Sequence, residues 1–290
     1  MIIPVSVKNQ SIDSSGITSD YKAAISEYVW NGFEANATKV SIEYTHNEAF
    51  GVKELIIKDN GEGINYNELG ETFGAFLASK KNLLSLQMKS KANKGKGRFS
   101  FIAFSNNAEW HTVYKDNDVY KEYDIAMSSD KKEVIDCSEP QLSEQNATGT
   151  EVRFFNINTL TVENMSFEVI ESALLKDFAW FLYLYKNKDA EIIVNGEKID
   201  YKKYINTDLS EKVMVTIDGY RFEINLIVWQ QSISEKFCCY YFDEKNILKG
   251  KRTTTFNHNT INFNHSVFVK SDFFDDKENV IDDHEDTQIN

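Results

Sequence analysis

The 290-residue chain is 41% hydrophobic, 27% charged and 13% aromatic, a globular composition that suits one large domain or two ordinary ones and excludes a disordered chain. Its 32 basic and 45 acidic residues leave a net charge of −13, which repels nucleic acid and anionic membranes over most of the surface, so any DNA contact must be local. The start, MIIPVSVKNQ, lacks the parts of a signal peptide, no window holds roughly 18 uninterrupted apolar residues, and three cysteines without CxxC spacing encode neither a disulfide framework nor a zinc site; a cytoplasmic protein without membrane contact is expected.

Residues 20–37 carry Ile25, Val29 and Phe33 at helical spacing behind Ser19 or Asp20 as N-cap, which predicts one amphipathic helix. Strands are expected over 39–44 and 53–58, the second ending in the turn Asp59-Asn60-Gly61-Glu62-Gly63. Asn65 with Glu68 three residues on predicts a capped helix ending near Ser79, with Leu69, Phe73 and Phe76 or Leu77 as its buried stripe. Residues 80–98 hold seven basic residues and no acidic one, with Gly95 and Gly97 near the end, and read as a basic loop feeding a short helix at FSFIAF.

Further strands are expected near 109–114, 120–127, 133–136 and 149–155. A long apolar helix over 165–185 follows, then a hairpin of 190–194 and 198–201 turning at Asn195-Gly196. Helices followed by an antiparallel run predict an α+β fold, a two-layer sandwich of mixed, mainly antiparallel sheet with helices on one face. The first domain is expected over 1–205 and a smaller α+β domain over 206–274. The latter holds the strands VMVTI, YRFEINLIVW and KFCCYYF before the polar tract LKGKRTTTFNHNTINFNHSVFV. The acidic tail 275–290 is expected to fray, since eight acids and one lysine follow Ser271.

Glu27, Asn31 and Glu34 stand at i, i+4 and i+7 on the face of the first helix opposite its apolar stripe. An isolated pattern of this kind is usually a solvated face, and the sequel is what changes its meaning. The DNGEG turn puts a carboxylate at a strand end beside two glycines, where a planar ligand can approach the backbone while the acid accepts a hydrogen bond from it. In KSKANKGKGRFSF, glycine-rich backbone before a helix offers N–H groups to an anion and the lysines add positive potential, which suits a polyphosphate. Neither the GxxxxGK[ST] nor the GxGxxG spacing is present. Thr148-Gly149-Thr150, entering the strand EVRFF, adds a hydroxyl that could join Asp59 around one ligand. His258 and His265, seven apart in the polar tract, read as surface or hydrogen-bonded residues rather than metal ligands.

In order and spacing, these four segments resemble the nucleotide motifs of the GHKL ATPase superfamily, which includes the heat-shock chaperone, MutL, gyrase B, MORC and histidine-kinase branches. The resemblance covers roughly residues 1–200, and the remainder looks like the transducer domain of the MutL and gyrase branches. It implies that Glu27 is the general base activating the attacking water and that Asn31 ligates the magnesium ion on the phosphates. Glu34 stands where the family usually has aspartate before alanine. Asp59 would accept the adenine amino group, Thr150 would support it through its hydroxyl or a water, and Gly61 and Gly63 would give the base room. Ser79 and Lys80 resemble the start of the lid, Gly95 and Gly97 its glycines, and Lys96 and Arg98 phosphate contacts. A transducer lysine reaching the terminal phosphate would be Lys249 or Lys251.

The resemblance implies an ATP- and Mg2+-dependent, slowly hydrolysing switch whose lid closure and homodimerisation are driven by nucleotide. Such a motor is expected to serve a larger system with a separately encoded protein partner, with bacterial DNA repair or antiphage defence as the suggested setting. Two other classes stay open: a phosphotransfer domain of the histidine-kinase type, and an ATP-sensing module without turnover.

Overall fold

The computed structural model describes residues 17–72, 97–234, 237–254 and 263–275. Contacts divide the chain into two units: one holds the residues up to Leu174 together with Tyr185–Ile199, the other Leu175–Leu184 and the residues from Asp200 on. The expected tail lies outside the described residues from 276 onward.

Helix α1 (Tyr21–Glu34) begins where the Asp20 carboxylate accepts from the Lys22 N–H at 2.9 Å, so Asp20 rather than Ser19 is the cap. Strands β1 (Lys39–His46), β2 (Val52–Asp59), β3 (Ser105–Asp116), β4 (Val119–Ser128) and β7 (Gly149–Ile157) form most of the first sheet. The short strands β5 (Asp136–Cys137), β6 (Gln141–Leu142), β8 (Glu191–Val194) and β9 (Glu197–Lys198) complete it. The order is β5-β4-β3-β7-β2-β1-β8-β9, with β6 also on β4, and β1 with β8 is the parallel pair in an otherwise antiparallel sheet.

Alternation gives the sheet one apolar face. Val40, Ile42, Leu55, Ile57, Ala108, Trp110, Val152 and Phe154 are all buried. On it lie α1 and a run of 3-10 helix at Gly97–Ala103: Tyr28 and Phe104 meet Phe154 edge-on at 4.8 and 5.0 Å, and Phe101 meets Trp110 at 6.5 Å. The other face is polar, with Lys58 and Arg153 both on Glu151 (3.2 and 2.7 Å) and His111 on Asp124 (2.8 Å). This is the expected two-layer α+β arrangement.

In the second unit β10 (Glu211–Ile217), β11 (Tyr220–Trp229), β12 (Cys238–Phe242), β13 (Leu248–Thr253) and β14 (Asn264–Lys270) form a sheet ordered β10-β11-β14-β12-β13. The C-terminal part of α3 (Phe167–Leu184) packs on it, Trp180 stacking on Tyr240 at 5.5 Å and Tyr183 meeting Phe268 at 5.2 Å. Among the described residues no helix is long and apolar enough to cross a membrane.

Several elements differ from expectation. The strand predicted at 133–136 is reduced to β5, because Val134 N–H turns back onto the Lys131 carbonyl and Pro140 has no N–H to continue a ladder. Of the strand expected over 198–201 only Lys198 lies in β9, because Asp200 caps a 3-10 turn over Tyr201–Tyr204 by accepting from Lys202 N–H. The polar tract after Ile247 contains two strands, β13 and β14, and Phe274 is buried in the 3-10 turn Asp272–Phe274 that Ser271 caps. Asn65 caps a 3-10 turn, Tyr66–Glu68, before helix α2 (Leu69–Thr72), and the rest of that predicted helix and its stripe lie outside the described residues.

Candidate functional site

The end of β2 is where the polar groups gather. Register places Asp59 beside Thr150 and Thr150 beside Thr112, so three adjacent strands present one carboxylate and two hydroxyls in a row. Asp59 Oδ1 accepts from the Gly61 N–H at 2.8 Å and the Thr150 N–H at 3.3 Å. Both internal bonds fall on Oδ1, leaving Oδ2 to accept from a ligand. Burial raises the carboxyl to about 6, against the opposing pull of those two N–H groups.

Thr112, which no sequence motif marks out, ties this corner together. Its hydroxyl accepts from the Ile64 N–H at 2.9 Å and lies 3.1 Å from the Thr150 hydroxyl and 3.4 Å from the Gly149 carbonyl. The signal was a threonine at the inward-facing position between Trp110 and Tyr114, where an apolar residue is the ordinary choice.

The turn itself is wedged against the protein. A Cβ on Gly61 would lie 2.6 Å from the Ala35 carbonyl oxygen, and one on Gly63, whose φ is +75°, would lie 2.1 Å from the Val113 carbonyl oxygen. Both glycines therefore make room for the chain's own backbone. Glu62 N–H donates to the Ala35 carbonyl at 2.8 Å and Asn36 Nδ2 to Glu62 Oε1 at 2.9 Å, which pins the turn to the end of α1.

Helix α1 connects this corner with a second group. Gly32, one residue past Asn31, packs so closely that a Cβ there would lie 2.9 Å from both Asp59 Cβ and Val40 Cγ2. A glycine inside a helix costs about 1 kcal/mol relative to alanine, and that oddity was the available signal. Further back on the helix, a Cβ on Gly97 would stand 3.1 Å from Glu27 Oε2 and 3.7 Å from Asn31 Nδ2, so the end of the basic glycine segment rests on the predicted acid and amide.

The other predicted residues are distributed as follows. Glu34 is half-buried in the last turn of α1. Arg98 is 8% exposed, with its guanidinium over the Phe99 ring at 4.8 Å, and burial lowers it to about 10. Ser79, Lys80, Gly95 and Lys96 lie outside the described residues, as does His258. Lys249 is engaged within its own unit by Asp243 at 3.4 Å and the Asp275 carbonyl at 3.3 Å, while Lys251 lies over the Tyr240 ring at 5.7 Å. His265 is buried and bonds the Thr254 hydroxyl at 2.9 Å. Among the described residues no group of three or more His, Cys, Asp or Glu could hold a metal by itself.

Of the residues expected around a GHKL-type nucleotide site, α1 carries Glu27 and Asn31, the end of β2 carries Asp59, and Gly97 lies next to Glu27. Residues 18–159, just under half of the chain, match the sequence model of the family described as "Histidine kinase-, DNA gyrase B-, and HSP90-like ATPase", and this segment is similar to that family. Among solved structures the chain is similar to the ATPase region of Saccharomyces cerevisiae topoisomerase II, with a TM-score of 0.44 and 15% identity, covering 86% of this chain and 71% of that one. A search of curated proteins finds no match.

Proposed function

We propose that this chain binds ATP with magnesium, hydrolyses it slowly, and couples the cycle to closure of the 80–98 segment and to homodimerisation. The observation that carries this reading is that a single helix holds Glu27 and Asn31 against Gly97 and, through Gly32, lies against Asp59. About 7.5 Å of helix axis separates residues 27 and 32, so a ligand engaging both groups must be longer than a nucleobase.

In this reading Asp59 Oδ2 accepts from the adenine amino group, with Thr150 beside it. Glu27 takes a proton from water as the water oxygen bonds to the terminal phosphorus and the bond to the ADP oxygen breaks. Asn31 would offer a hard oxygen to magnesium, and the bound ion would neutralise phosphate charge. The process driven by the switch, in a DNA-linked repair or antiphage setting with a separately encoded partner, is tested by identifying the proteins that co-purify with it.

Glu27→Ala tests the chemistry. Calorimetry should show ATP still bound, and phosphate release should fall by at least about two orders of magnitude, the value of a positioned general base. Turnover at the parental rate would remove Glu27 from the mechanism. Light scattering should show more dimer with a nonhydrolysable ATP analogue than with ADP, and equal mass in both states would refute the switch.

A further inference from the structure

One phenol stands where α1 meets the run that starts at Gly97. Tyr28 follows Glu27 directly, is 3% exposed, and meets Phe154 edge-on at 4.8 Å with Trp110 at 6.4 Å. Its hydroxyl donates to the Arg98 carbonyl at 3.0 Å and accepts from the Phe101 N–H at 3.2 Å. Burial raises the phenol far above its ordinary range, so it keeps the proton it donates.

The two bonded groups are those that an i to i+3 turn of 3-10 helix pairs with each other. The Tyr28 oxygen joins both of them, and in doing so binds a turn of Gly97–Ala103 to α1. Consecutive residues of α1 thus meet the same short segment, Glu27 at Gly97 and Tyr28 at Arg98 and Phe101.

We propose that Tyr28 is a positioning residue for ATP hydrolysis: its hydroxyl fixes Arg98 and Phe101 to α1 and so keeps Gly97 seated on the Glu27 carboxylate. This rests on the ATPase reading above. Without the hydroxyl, Arg98 and Phe101 can still satisfy each other directly. The loss therefore falls on the spacing between Glu27 and Gly97 more than on stability.

The test compares the full chain with Tyr28→Phe, which keeps the ring against Phe154. Expected are a fall in kcat of about tenfold, equivalent to about 1.4 kcal/mol, with Kd for ATP and for ADP each within about twofold of the parent. Placed on Glu27→Ala, the same substitution should cost no further turnover, because the residue acts through Glu27. Unchanged kcat in folded Tyr28→Phe overturns the proposal, as does an ATP affinity that falls as much as kcat, or a full additional loss on the Glu27→Ala background. Hydrogen exchange on the unaltered protein provides a measurement independent of the variant's folding, and a freely exchanging Phe101 amide would also overturn it. Absence of turnover in the unaltered protein would instead sink the ATPase reading, and the positioning role with it; normal turnover in Tyr28→Phe beside an active parent sinks the positioning role alone.

Discussion

Asp59→Asn is expected to make the protein more stable at neutral pH while removing most of its hold on ATP. An asparagine oxygen in place of Oδ1 can still accept from Gly61 N–H and Thr150 N–H, so both internal bonds survive. What changes is the second position, where a donor replaces the acceptor and the charge is lost. A charge-assisted bond is worth about 1.5–3 kcal/mol, which raises Kd about 10- to 150-fold.

The stability side follows from the carboxyl standing at about 6 against an ordinary value of 3.8. The folded state then binds the proton more tightly than the unfolded one, so this group's stabilising effect is complete below about 3.8 and is lost as pH rises through about 6. With its partial exposure taken into account, the ionised carboxylate costs about 1–2 kcal/mol above that window. The asparagine variant should match the parent near pH 4 and melt higher at pH 7.5. Binding runs the other way: at pH 5 only about one Asp59 in eleven is ionised, so the parent should bind about tenfold more weakly there than at its high-pH plateau. Protonation of the nucleotide's own phosphates affects both proteins alike, so the difference between their profiles isolates Asp59. Calorimetry and thermal melts from pH 4 to 8 provide the readout. Equal affinity in the two proteins, or a lower melting temperature for Asp59→Asn at pH 7.5, would refute the reasoning.

Thr112→Val keeps the shape but leaves the Ile64 N–H without its acceptor, and urea unfolding should show a loss of about 1–3 kcal/mol; an unchanged midpoint would show that this hydroxyl does not hold the corner. Gly63→Ala places a Cβ where the Val113 oxygen stands, so it should cost more than the about 1–2 kcal/mol of left-handed backbone alone, seen as a large drop in melting temperature. Asn31→Ala should weaken ATP binding when magnesium is present and leave magnesium-free binding unchanged by calorimetry. Lys249→Ala leaves Asp243, 3% exposed, without its ion pair and should lower stability by about 3–5 kcal/mol; a turnover defect with unchanged stability would mark Lys249 as a phosphate sensor instead.

The sequence reveals the parts of the candidate site that obey a strong local rule. Glu27 and Asn31 stand out because helical spacing puts them together opposite Ile25, Val29 and Phe33. Asp59 stands out because strand and glycine turn meet there. Between Ile25 and Val29 the aromatic side chain of Tyr28 reads as core packing, and nothing in the one-dimensional pattern shows its oxygen reaching Arg98 and Phe101. Thr112 is inconspicuous because a threonine suits any strand and its partners lie on other segments of the chain.

The missed strands have a similar cause. In β14 the buried positions include His265 and Ser266, which are tolerated there because Thr254 bonds the imidazole and Trp229 Nε1 donates to the Ser266 hydroxyl at 2.9 Å. In β13 a single buried Leu248 is followed by Lys249, Gly250, Lys251 and Arg252, so no alternation of apolar and polar residues announces a strand.

The parallel pairing of β1 with β8 has a bearing on how the chain folds. Lys39 is matched to Glu191 and Ile42 to Val194, so one side of an early strand has its partner only after most of the first unit has left the ribosome. The antiparallel partner Val52–Asp59 is available almost at once. Between these two moments β1 presents an open edge, the kind of surface that invites pairing with a neighbouring nascent chain. Closing so long a loop is also slow. Folding of the first unit should therefore be completed late in synthesis, and truncations that stop short of Glu191–Val194 should aggregate rather than yield a smaller folded unit.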